Sequence, residues 1–160
     1  MFRKVLFPTD FSQGAYKAIR LFEKKNNVEI GELILMNVAD ESLMEEMMDG
    51  YSLYYDVHDT EKNELKDIEK KLTEERMKKL KEKGDLAQEL LNPKNLKLKV
   101  KFGIPYKKIL ETADEEDVSL ILLPSHGKLD FTHEFFGSTT HKVLKTTKKP
   151  ILLIKTHEEV

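Results

Sequence analysis

Five short apolar runs, at residues 4–7, 33–38, 96–102, 118–123 and 151–154, alternate with stretches whose apolar residues recur every three or four positions. Runs this short suit buried strands and fall below the length of a typical helix. Strands separated by helices re-enter a sheet in the same direction, so the alternation predicts an α/β fold with a parallel sheet.

The intervening stretches have the period of amphipathic helices. Residues from about 12 to 25 place Ala15, Ala18, Ile19 and Phe22 on one face, which is expected to pack on the sheet. A longer helix from about 60 to 91 places Leu65, Ile68, Leu72, Leu80, Gly84, Ala87 and Leu91 at three- and four-residue steps. Gly84 on that stripe marks either a close backbone contact or a break in the helix. A shorter helix over about 106–116 follows Pro105, a residue suited to a first helical turn. Residues 40–59 carry Met44, Met47, Met48, Tyr51, Leu53, Tyr54 and Tyr55. They read best as a short helix covering one end of the sheet, with a lid over a ligand or a partner surface as alternatives.

The 160 residues suit one domain spanning 1–160. Charged residues make up 35% of the chain yet sum to a net charge of −2, so no global basic field draws it to nucleic acid or to an anionic membrane. Any anion site must be local. The absence of cysteine excludes disulfides and thiolate metal sites, and no apolar stretch is long enough to span a membrane. With no leader-like start, the expected location is the cytoplasm.

The candidate anion site lies after the run at 118–123. Gly127 is followed, beyond nine residues, by Gly137, Ser138 and Thr139, where a helix carrying Val143 and Leu144 begins. Glycine lets backbone approach an anion closely, and the unpaired amides of Ser138, Thr139 and Thr140 would point at it from the positive end of the helix dipole. Lys142, Lys145 and Lys148 gather toward the other end, as the dipole favours. Ser138 is expected to cap this helix whether or not phosphate binds. The alternative is a strand, a turn and a capped helix whose two glycines serve only geometry.

Competing chemistries lack their residues. There is no GxxxxGK(S/T) loop, no ordered GxGxxG and no GxSxG elbow. His126, His133, His141, Asp130 and Glu134 resemble a set of metal ligands, but His133 and Glu134 lack the second histidine that a zinc helix needs, and no metal site is expected. No convincing general base stands out, so no dedicated catalytic activity is expected.

Three separated segments resemble the universal stress protein family. They are Lys4 to Asp10 with Ser12, the turn Gly103, Ile104, Pro105, and the stretch from Ser125, His126, Gly127 and Lys128 through Phe136, Gly137 and Ser138 to Pro150. The resemblance covers nearly the whole chain. It implies a doubly wound sheet of five parallel strands in the order 3-2-1-4-5, with helices on both faces. In that order the first and fourth strands are neighbours where the winding reverses, the usual position of a ligand crevice.

The resemblance also implies an ATP-binding regulatory or sensing protein, with Mg or Mn alongside ATP left open. Asp10 carries over as a contact to adenosine and the Val38 backbone as a contact to adenine. Gly127, Gly137, Ser138 and Thr139 carry over as ribose and phosphate contacts, and Lys128 as a donor to phosphate. Asp10, three residues before Gln13, has a second reading as acceptor in a capping box, and Lys128 as a solvated loop lysine. Ile151–Ile154, an apolar edge strand, is expected to pair with its copy in a homodimer. A downstream protein partner is implied without being identified.

Three residues depart from the family pattern. Pro124 stands where the motif begins with glycine, removing an amide donor, and Asp130 and Glu134 add carboxylates to the nine-residue stretch. Lys128 and His133 offset part of that charge. These departures keep two alternatives open: a dimeric interaction scaffold that binds no nucleotide, and a slow ATP hydrolase.

Overall fold

The computed structural model describes residues 1–25, 29–40, 61–125 and 137–156. The elements run β1 (Phe2–Pro8), α1 (Gln13–Lys25), β2 (Ile30–Ala39), α2 (Glu61–Leu91), β3 (Asn95–Phe102), α3 (Pro105–Glu115), β4 (Leu120–Pro124), α4 (Ser138–Thr146) and β5 (Ile151–Ile154). All four strand pairings are parallel, and the sheet order is β3-β2-β1-β4-β5. The alternation of apolar runs and the order implied by the family resemblance both hold.

Strand alternation divides the core into two layers. Val5 and Phe7 of β1, Leu33 and Leu35 of β2, and Leu120 and Leu122 of β4 pack with Ala15, Ala18, Ile19 and Phe22 of α1 and with Leu80, Ala87 and Leu91 of α2. The intervening Leu6, Ile34, Met36, Ile121 and Leu123 face Ile109 and Ala113 of α3 and Val143 of α4. The central strands therefore read as continuous apolar runs because both of their faces are covered.

β3 is different. Leu96, Leu98 and Val100 pack against the layer of α1 and α2, whereas Lys97, Lys99 and Lys101 alternate with them along the strand. The lysines find carboxylates near the end of α3. Glu116 accepts from Lys97 Nζ at 2.7 Å, pairs with Lys99, and lies 3.6 Å from Lys4 Nζ of β1. Asp117, with φ of 46°, receives Arg3 at 2.9 Å and Lys149 at 2.8 Å.

The glycine on the long helix marks close packing. α2 runs unbroken through Gly84, where an added Cβ would stand 3.1 Å from Leu98 Cδ2 and 3.3 Å from Leu96 Cδ2. Absence of a side chain lets the helix settle on β3 at that point. Ile68 and Leu72 of the predicted stripe are half-buried, Leu80, Gly84, Ala87 and Leu91 are buried, and the side chain of Leu65 falls outside the described residues. At the β3–α3 turn, Gly103 has φ of 131° and its amide donates to the Ala39 carbonyl at 3.0 Å. Glycine is the residue that takes this conformation without strain, and Pro105 then opens α3 as expected.

Candidate functional site

β1 and β4 are adjacent, with Val5 opposite Leu120 and Leu6 opposite Ile121. β1 continues toward β2 and β3, while β4 continues toward β5, so the winding reverses between them. The turns after Pro8 and Pro124 therefore leave the sheet at the same end, flanking one switch point.

The turn after β1 is fixed by short-range polar contacts. The Thr9 amide donates to the Met36 carbonyl at 2.7 Å, extending the β1–β2 ladder by one residue. Thr9 Oγ1 accepts from the Phe11 amide at 3.1 Å, and Asp10 Oδ1 accepts from the Ser12 amide at 2.9 Å. These side chains hold the backbone through Phe11, whose φ is 63°. Asp10 lies two residues before the cap position of α1 rather than in it. Ser12 caps α1 instead: its Oγ accepts from the Ala15 amide at 3.3 Å, and its carbonyl receives the Tyr16 amide. The Asp10 carboxylate thus shapes the turn, two residues ahead of the cap, and Asp10 itself is exposed.

The turn is also held from outside. Asn37, on β2 and only 2% exposed, donates from Nδ2 to the Thr9 carbonyl at 2.7 Å. Arg76 of α2 donates to Asn37 Oδ1, also at 2.7 Å. Burial pushes the Arg76 guanidinium below its ordinary pKa, but a guanidinium remains charged at neutral pH. Neither Asn37 nor Arg76 emerges as a functional candidate from sequence alone. One signal was available: Arg76 occupies the four-residue step between Leu72 and Leu80 on the apolar stripe of α2, where a hydrophobic residue is expected.

On the β4 side, Pro124 closes the strand and its carbonyl accepts from Thr140 Oγ1 at 3.2 Å. Ser125, 2% exposed, donates its amide to the Ile154 carbonyl, while its Oγ accepts from the Thr156 amide at 3.1 Å. The Gly137 amide donates to the Ser125 carbonyl at 3.1 Å. Ser125 and Gly137 are therefore both held at the end of β4.

This geometry corrects the expected cap. Gly137 occupies the cap position of α4 with extended backbone, φ −61° and ψ 156°, and no side chain supplies the capping bond. Ser138 is instead the first helical residue and is exposed; Thr139 is half-buried. The cap shifts because the Gly137 carbonyl already accepts the first helical bond, from the His141 amide at 2.8 Å. Helix geometry leaves the amides of Ser138, Thr139 and Thr140 without an acceptor inside α4. Val38, near the end of β2, packs against the layer of α3 and α4, on the face opposite Asn37. Gly127 and Lys128, with His126, Asp130, His133 and Glu134, lie outside the described residues, as does the Met and Tyr cluster between 41 and 59.

Among the described residues, no group of three His, Cys, Asp or Glu side chains could hold a metal ion, and no helix is long and apolar enough to cross a membrane.

Known proteins share both the sequence and the arrangement. The chain is 34% identical to universal stress protein MJ0577 of Methanocaldococcus jannaschii over 163 aligned residues, covering 97% of this chain and 96% of that protein. The crystal structure of a hypothetical protein, PH0823, matches with a TM-score of 0.79 at 49% identity, over the full length of both chains. A universal stress protein solved in complex with cAMP matches with a TM-score of 0.61 at 16% identity, covering 98% of each chain, a likeness of fold. The model of the universal stress protein family matches residues 1–155. With its motifs, its sheet order and this match in agreement, the chain belongs to the universal stress protein family.

Proposed function

We propose that this chain is a single-domain ATP-binding protein with a regulatory or sensing role, taking the nucleotide at the switch point between β1 and β4. The observation that carries this reading is the placement of the Asp10 turn and the α4 N-terminus at the carboxyl ends of adjacent strands. Asp10 would accept from the adenosine moiety, the Val38 backbone would meet adenine, and Gly137, Ser138 and Thr139 would receive phosphate at the helix start. Gly127 and Lys128 would complete the cradle. The cAMP complex supports the reading to the extent that the same fold accommodates an adenine nucleotide.

ATP binding is tested by thermal denaturation and by mass spectrometry of any nucleotide released from the purified, denatured protein. At about 100 times the dissociation constant, ATP should stabilise the fold by roughly 2.7 kcal/mol, raising Tm by about 5 to 10 °C. Asp10→Ala should weaken ATP binding about tenfold, the value of a hydrogen bond to a charged group. Absence of both a shift at millimolar ATP and a copurified nucleotide would sink the proposal.

A dimeric interaction scaffold that binds no nucleotide is the second reading. Pro124 favours it, because the amide that a glycine would offer at the end of β4 is missing. Pairing of β5 with its copy is compatible with both readings, and no dedicated catalytic step is assigned in either.

A further inference from the structure

α2 reaches the Asp10 turn through one buried amide. Arg76 donates to Asn37 Oδ1, and Asn37 Nδ2 donates to the Thr9 carbonyl, each at 2.7 Å. The chemistry fixes the direction of this relay. A guanidinium has only donors and a carbonyl only accepts, so the amide between them must turn its oxygen to Arg76 and its nitrogen to Thr9. Reversing the amide would set oxygen against oxygen at Thr9 and donor against donor at Arg76. The Asn37 side chain is buried, so neither loss would be repaired readily by water.

A second contact brings the same helix to the same turn. Lys79, one turn from Arg76, places Nζ 5.9 Å from the centroid of the Phe11 ring, and Phe11 is the residue held at φ 63°. α2 therefore reaches the turn on both sides of Asp10, through Asn37 at Thr9 and through Lys79 at Phe11. A charged residue on the apolar stripe between Leu72 and Leu80 makes sense as the price of this contact.

We propose that Arg76 is a positioning residue: acting through Asn37, it holds the Thr9–Asp10 turn in the conformation that presents the Asp10 carboxylate. Its effect on a ligand rests on the ATP-binding reading; its effect on the turn does not. Arg76 touches no nucleotide in this scheme. It transmits the position of α2 to the site, so a displacement of that helix would change how Asp10 is presented.

The test compares wild type with Arg76→Met, Arg76→Lys and Arg76→Glu by amide hydrogen exchange without ligand, followed by ATP titration. In Arg76→Met the Phe11 and Ser12 amides should exchange about tenfold faster, the equivalent of losing one buried hydrogen bond, while Val5 to Phe7 of β1 remain unchanged. Arg76→Glu, which presents an acceptor to Asn37, should loosen the turn further. Arg76→Lys should restore wild-type exchange within about twofold, because it keeps the direction of donation. Unchanged exchange at Phe11 and Ser12, or an equal rise throughout β1, overturns the proposal.

Asn37→Asp provides an independent check if Arg76→Met does not fold. It keeps a partner for Arg76 but replaces the donor at Thr9 with a carboxylate oxygen, so at neutral pH the turn should loosen as in Arg76→Met. Wild-type exchange in a folded Asn37→Asp protein overturns the relay. For the ligand, Arg76→Met should weaken ATP binding about threefold to tenfold, with rescue by Lys. A loosened turn with unchanged ATP affinity overturns the link to the ligand. If wild type binds no ATP, the nucleotide reading fails and the exchange data still decide whether Arg76 positions the turn.

Discussion

Glu116, just beyond α3, accepts a hydrogen bond from Lys97 of β3 at 2.7 Å. The contact ties an edge strand to the helix that follows it. Hydrogen bonds from Lys97 and Lys99 hold the Glu116 carboxyl at about 2, well below its ordinary 4.5.

A carboxyl whose pKa falls on folding stabilises the native state fully above its unfolded pKa and loses that contribution as pH falls through the folded value. Stability should therefore decline between about pH 4.5 and pH 2 with a component owed to Glu116. Glu116→Gln should cost roughly 1 to 3 kcal/mol at neutral pH and flatten the acid limb of the stability profile. Urea unfolding at a series of pH values measures both effects. An unchanged acid limb in the variant would remove Glu116 as its source.

The two serines near helix starts should behave differently. Ser12→Ala removes the cap of α1 and should cost about 1 kcal/mol, whereas Ser138→Ala, at an exposed first helical position, should change stability by less than about 0.5 kcal/mol. Denaturant unfolding of the two variants distinguishes them. Comparable losses would restore the capping role expected of Ser138.

Gly84 sets how closely α2 approaches β3. Replacement by Ala gains about 0.5 to 1 kcal/mol in helix propensity, but its Cβ must displace the methyl ends of Leu96 and Leu98 by a few tenths of an ångström, so the net change should stay within about 1 kcal/mol. Gly84→Val adds branching that cannot be accommodated in the same way and should destabilise by roughly 1 to 3 kcal/mol. Thermal unfolding of both variants checks the contrast. A Val variant as stable as the Ala variant would show that α2 can lift away without loss.

The outer edge of the sheet gives a test of assembly. Ile121 and Ser125 donate to the carbonyls of Pro150 and Ile154, so the backbone groups of residues 150, 152 and 154 turn toward β4. Those of Ile151 and Leu153 consequently turn outward. Leu153→Pro should remove an outward donor, leave the monomer folded and abolish pairing between copies of β5. Leu152→Pro should instead break the β4–β5 ladder and destabilise the fold. Sedimentation should show a dimeric wild type and a folded monomeric Leu153→Pro protein; a monomeric wild type at micromolar concentration would overturn the assembly.

Local periodicity carried the alternation of strands and helices, the sheet-facing side of α1 and the stripe on α2, whereas helices on both faces of the sheet followed from the family resemblance. Even so, several element ends moved by one to three residues: β2 begins at Ile30 where the apolar run begins at 33, and β4 ends on Pro124. The family resemblance, more than any local signal, supplied the strand order.

Polar partnership was decided by tertiary structure. Asn37 lies 28 residues from Thr9 and 39 from Arg76, and no local pattern marks the three as partners. Lys97 and Glu116 meet only because α3 returns the chain to the end of the sheet where β3 begins. At the α4 start, Ser138 has a good cap residue's chemistry, but the Gly137 carbonyl takes the first helical bond and Ser138 becomes the first residue inside the helix. Apolar burial tolerates many partners, so its periodic pattern suffices to place a face. A hydrogen bond requires one donor and one acceptor at fixed distance and angle, and packing of remote elements supplies that geometry.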